Sequence, residues 1–105
     1  MQADIQATRE ATVKIILASG PTAVQGKLAD AELIFLAGPL AGLKLIGFAV
    51  WERRDGGRNV TFPARQYSVN GERRSFALLR PANGDLSAQD TVRQLILDAY
   101  ATETA

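Results

Sequence analysis

Turn-forming residues cut this chain into short runs until its C-terminal end, and that punctuation limits the fold more than any other feature. Thr12 to Ala18 (TVKIILA) is β-branched and apolar and stops at Ser19-Gly20-Pro21. From Lys27 to Leu36 the pattern alternates, with Ala29, Ala31, Leu33 and Phe35 facing one way and Asp30 and Glu32 the other. That is the period of a strand with one wet face. Ile34 and Leu36 break the polar side, so both faces are expected to be covered near the strand's end. An apolar loop, Ala37 to Gly42, leads into Leu43 to Trp51, which reads as a strand buried on both faces. Gly47 inside it predicts a bulge or a close backbone approach. Asp55-Gly56-Gly57 and Asn70-Gly71 are hairpin turns, because glycine tolerates the positive φ they require. Asn59 to Phe62 is a short strand stopped by Pro63, and Arg73 to Leu79 follows the second turn with Phe76 and Leu78 on one side.

The chain closes with a helix. Ser87 and Asp90 have the spacing of an N-terminal cap. Val92, Leu95, Ile96 and Ala99 fall on one face, Tyr100 lies at its margin, and Leu97 points away from it. The expected fold is α+β, a five-stranded, mainly antiparallel sheet packed on a C-terminal helix. Residues 1–11 read as a flexible N-terminal arm, and residues 12–105 as a single domain.

A chain of 105 residues buries only about 65% of the surface its unfolded form exposes, so its stability margin is thin. Self-association would relieve that, and a homodimer is expected. Cysteine is absent, which excludes disulfides and thiolate metal sites. The opening residues, MQADIQATRE, lack the pattern of a secretory leader, and no apolar run reaches the length of a membrane helix. These features predict a cytoplasmic protein without membrane attachment.

Charge is unevenly spread. Trp51 to Pro81 carries seven of the nine arginines against Glu52, Asp55 and Glu72, a local net of +4 in a chain whose formal net charge is +1. Guanidinium groups make paired hydrogen bonds to phosphate that lysine cannot. Arg53, Arg54 and Arg58 surround the first hairpin turn, and Arg65, Arg73 and Arg74 flank the second. Trp51, Phe62, Tyr67 and Phe76 are interleaved with them. Phe62 and Phe76 are expected in the core, Trp51 fits either role, and Tyr67 is the candidate platform for stacking on bases. The bland reading is a charged sheet edge that resists aggregation. The functional reading is a phosphate-tracking surface made by two neighbouring hairpin tips, with DNA or RNA as partner.

Catalysis finds little support in the residues present. Histidine and cysteine are both absent, which removes the usual general base near neutral pH and the usual nucleophilic triads. Asp30 and Glu32 share a strand face and read as its solvated side rather than as a magnesium site. Gly56-Gly57 lacks the lysine and helix of a phosphate-binding loop. No catalytic residue, metal ligand or cofactor is assigned, and an enzyme is not expected.

The order of features resembles the stage V sporulation protein G family, the putative septation proteins of bacteria. TVKIILA, GKLADAELIFL and GLKLIGFAV resemble its first strands. Phe62-Pro63-Ala64-Arg65, then Asn70-Gly71-Glu72, then Phe76 to Pro81 occupy the places of its signature, and LILDAY at residues 95–100 resembles its closing helix. Ser75, Leu79 and Arg80 stand where members usually have an acidic residue and a histidine. The resemblance implies a small, usually dimeric α+β protein that binds DNA or RNA in regulation. It carries Arg65, Arg73 and Arg74 over as basic positions around the signature turn, whereas Arg53, Arg54 and Arg58 rest on charge alone. The alternative is a protein-interaction or assembly module without nucleic-acid binding, using Leu40 in its apolar loop and Leu97 on the helix.

Overall fold

A computed structural model of the chain describes residues 10–19 and 24–105. The N-terminal arm expected over residues 1–11 falls mostly outside them, as does most of the turn expected at residues 19–21. The elements run β1 (Ala11–Leu17), β2 (Lys27–Phe35), β3 (Lys44–Glu52), β4 (Arg58–Thr61), β5 (Ala64–Val69), β6 (Glu72–Ala77) and α1 (Ser87–Thr104). The α+β class and the C-terminal helix are as the sequence predicts. Among the described residues the strands number six in two antiparallel sheets, where one sheet of five was expected: β1-β2-β3-β4 form one, and β5-β6 stand apart as the other.

In-line strand pairing sorts the side chains of the larger sheet into two faces. Ala29, Ala31 and Leu33 of β2 lie beside Phe48 and Val50 of β3, and Val60 of β4 lies opposite Val50. All six are buried, and Ile96 and Tyr100 of α1 close the same core. The alternation read from β2 therefore puts its alanines and Leu33 inside. Asp30 and Glu32 take the other face, where they pair with Lys27 and Lys44.

Gly47 satisfies both expectations placed on it. Ala31 pairs with Phe48 and Leu33 with Leu45, so Ile46 and Gly47 together oppose the single residue Glu32 in a β-bulge. Its φ is +109°, and a Cβ there would lie 2.8 Å from the Cβ of Pro63. Only glycine fits, and the contact seats the buried Pro63 where β4 gives way to β5.

Three helix expectations are corrected. Ser87 does not cap α1: the N-cap position is Leu86 and has no side-chain bond. Asp85 serves that end instead, its Oδ1 accepting from the Ser87 amide at 3.0 Å and the Ser87 hydroxyl at 2.7 Å. These two bonds hold its carboxyl below the usual carboxylate range. Leu97, expected to point outward, is half-buried against the core, and Tyr100 lies within the core rather than at its margin. Among the described residues no helix is long and apolar enough to cross a membrane.

Candidate nucleic-acid interface

The β5–β6 hairpin is the part of the molecule that stands out. Every residue of both strands is exposed except the half-buried Ala77 at its base. Its root is tied to the body by Pro63 against Gly47 and by the Leu78 amide donating to the Pro63 carbonyl at 2.8 Å. Neither strand packs substantially against another element, and the molecule measures 52 Å along its longest axis against 26 Å along its shortest. The hairpin is an arm. Asn70 at φ +51° and Gly71 at +82° form its tip, the two-residue turn that matches the twist of an antiparallel pair.

That turn fixes which side chains share a face. Val69 pairs with Glu72, Tyr67 with Arg74 and Arg65 with Phe76, and these six lie on one side. The Tyr67 and Phe76 rings meet across a diagonal, with centroids 5.7 Å apart and planes at 61°. Arg65 and Arg74 hold the other diagonal of the same four-residue square. The opposite side carries Gln66, Ser68, Arg73 and Ser75, with Arg73 donating to the Gln66 side-chain oxygen at 3.1 Å. Arg73 and Arg74, adjacent in sequence, thus point to opposite sides.

The other candidate arginines are elsewhere. Arg53 and Arg54 lie in the β3–β4 turn and Arg58 begins β4, whereas the arm starts beyond the far end of that strand. Four residues of strand separate the two places, roughly 13 Å. Arg53 donates to Asp55 at 2.7 Å, and Asp55 Oδ1 accepts from the Gly57 amide at 2.8 Å. The Asp55 carboxyl is held low, first by Arg53 and then by that amide, and Arg53 is raised in turn by its bond to Asp55. Arg58 lies over the Tyr100 ring, 4.9 Å from its centroid, and so fastens β4 to α1. The two tips therefore do not converge into one surface. The turn residues 52–58 hold three arginines against two carboxylates, while residues 64–80 hold four against Glu72 alone, a net of +3. Arg74 is itself 2.9 Å from Glu72, but both groups are largely in water and the pair is easily exchanged.

The aromatic expectations divide. Tyr67 is exposed, as read, and Phe62 packs on Phe48 edge to face at 5.1 Å, with Arg93 over its ring at 5.3 Å. Trp51 is half-buried in β3 and donates its indole N–H to Thr61 at 2.9 Å, away from the arm. Phe76, expected in the core, is 38% exposed on the arm, with the Arg80 guanidinium 5.8 Å from its centroid. Phe76 and Arg80 are the residues sequence reasoning missed. Counting outward from a two-residue turn at Asn70-Gly71 places Phe76 opposite Arg65, a signal that was present in the chain.

Compared with known proteins, the chain has no significant match. No family model, curated protein or solved structure is similar to it. The likeness to the stage V sporulation protein G layout stands on the order of strands and turns alone.

Proposed function

We propose that this protein is a non-catalytic nucleic-acid-binding regulator whose contact surface is the β5–β6 arm, with Arg65, Tyr67, Arg73 and Arg74 joined by Phe76 and Arg80. One observation carries the reading: a projecting two-stranded ribbon with exposed rings, whose residues together with Arg80 just beyond it hold four arginines against Glu72, a net of +3 over residues 64–80. Cations on both sides of the ribbon reach phosphates on either hand, whatever the pairing of the bases. Arg53, Arg54 and Arg58 are secondary, because they lie at the other end of β4 from the arm and Arg58 is stacked on Tyr100. Homodimerisation belongs to the same reading, since two arms bind more tightly than one.

Salt tests it. Three or four arginine–phosphate contacts from one arm give a log–log slope of affinity on salt of about −2 to −3 on a single strand, and about twice that for a dimer using both arms. An Arg65→Gln/Arg74→Gln variant lowers the slope by one to two. Binding that ignores ionic strength would remove the proposal.

A second reading, a protein-interaction module, is favoured by an open apolar cleft of about 370 Å³ between α1 and the end of β2, lined by Leu33, Phe35, Leu40, Leu79, Val92 and Leu95. Association through it persists at high salt, since apolar contact is not screened, and fails on Leu40→Glu.

A further inference from the structure

We infer that the aromatic face of the arm takes unpaired nucleobases, so that the ligand class is single-stranded rather than duplex nucleic acid. This rests on the nucleic-acid reading above and goes beyond it, because phosphate contact alone does not separate the two forms.

The two sides of the ribbon are chemically different. One presents two rings, Tyr67 at 41% and Phe76 at 38% exposure, held in contact by the strand register, with Val69 and the Arg74-paired Glu72 beyond them at the tip. The other presents amide, hydroxyl and guanidinium groups between the two alanines at the base and the tip. A duplex hides the faces of its bases in the stack and shows only their edges and its phosphates. An unpaired strand shows flat apolar faces and a phosphate at every step, and a surface complementary to it needs rings and cations side by side. Arg65 and Arg74 stand on the same face as the rings, one at each remaining corner of the square. Arg80 already lies against Phe76, so a base arriving there meets a ring with a cation at its margin. Charge complementarity and the alternation of rings with guanidinium groups select an unpaired polyanion as the occupant of this face over a second copy of the chain, whose own arm would bring like charge.

A diagonal aromatic pair also steadies a two-stranded ladder, so the variant has to keep the apolar contact while losing the π-face. Tyr67→Leu does this, and far-UV circular dichroism verifies its fold. Fluorescence polarisation with a labelled oligothymidylate and with a duplex of equal length, at low salt, gives the readout. The full chain binds the single strand more tightly, Tyr67→Leu weakens that binding about 5- to 100-fold, and duplex binding is unchanged. In Tyr67→Trp the strand is still bound and the new indole emission is quenched on binding, as stacking requires.

Equal affinity for strand and duplex, or a folded Tyr67→Leu that binds the strand like the parent, overturns this inference and leaves the nucleic-acid reading standing. A change of oligomer mass in Tyr67→Leu with strand binding intact assigns the face to a second copy and overturns it too. Failure of the parent chain to bind either polymer at low salt removes the nucleic-acid reading and this one together.

Discussion

Gly47 is where the body and the arm are joined, and a single methyl group is enough to test that joint. Its φ of +109° is hostile to any side chain, and the nearest atom to a new Cβ, at 2.8 Å, belongs to the ring of buried Pro63. Gly47→Ala combines backbone strain with overpacking, so about 2–4 kcal/mol of stability is expected to go, read as a lowered urea midpoint. Arginines at this scale show why sequence reading reached only part of the site. Arg53 and Arg58 look as available as Arg65 in the sequence, yet one is tied to Asp55 and the other lies on Tyr100, forty-two residues further on. Local spacing cannot report the Tyr100 partner, because the helix supplies it only once the chain has folded.

Among the elements, β1 to β4 and α1 were legible to within a residue or two, since alternation, glycine turns and helical spacing all agree there. β5 was not. Its sequence, ARQYSV, has no apolar alternation, and it follows Pro63 directly. It is a strand because the Asn70-Gly71 turn folds it onto β6, not because either face is buried. The start of α1 departs from the sequence expectation for a different reason: Ser87 has the right spacing for a cap, but its own amide and hydroxyl both donate to the Asp85 carboxylate, which holds that end instead. That difference can be measured. A carboxyl held below its unfolded value, about 3.9, contributes stability that is present above that value and is lost as pH falls through the folded one. Asp85 and Asp55 both act in this direction. Urea unfolding of Asp85→Asn between about pH 5 and pH 2 is expected to show a shallower acid-induced loss than the parent, with the remaining slope including that from Asp55. An unchanged acid limb would mean that Asp85 contributes nothing at the helix start.

For the whole molecule, the separation of a packed body from an unpacked arm leads to a stronger prediction. The core residues lie in β2, β3, β4 and α1, and none lies in β5 or β6. Replacing residues 65–76 by Asn-Gly closes a two-residue turn between Ala64 and Ala77, which already pair. The shortened chain is expected to keep a cooperative thermal transition within a few degrees of the parent while losing salt-dependent polyanion binding. Loss of the transition would show that the arm helps to hold the body together.

Seating the arm on one glycine and one proline also makes its reach adjustable. Adding two residues to each of its strands would push the tip outward by about 7 Å with every ring and guanidinium still on its present side. Adding one to each would turn the sides over. Length in this molecule comes in even steps, and the packed body need not change to accommodate them.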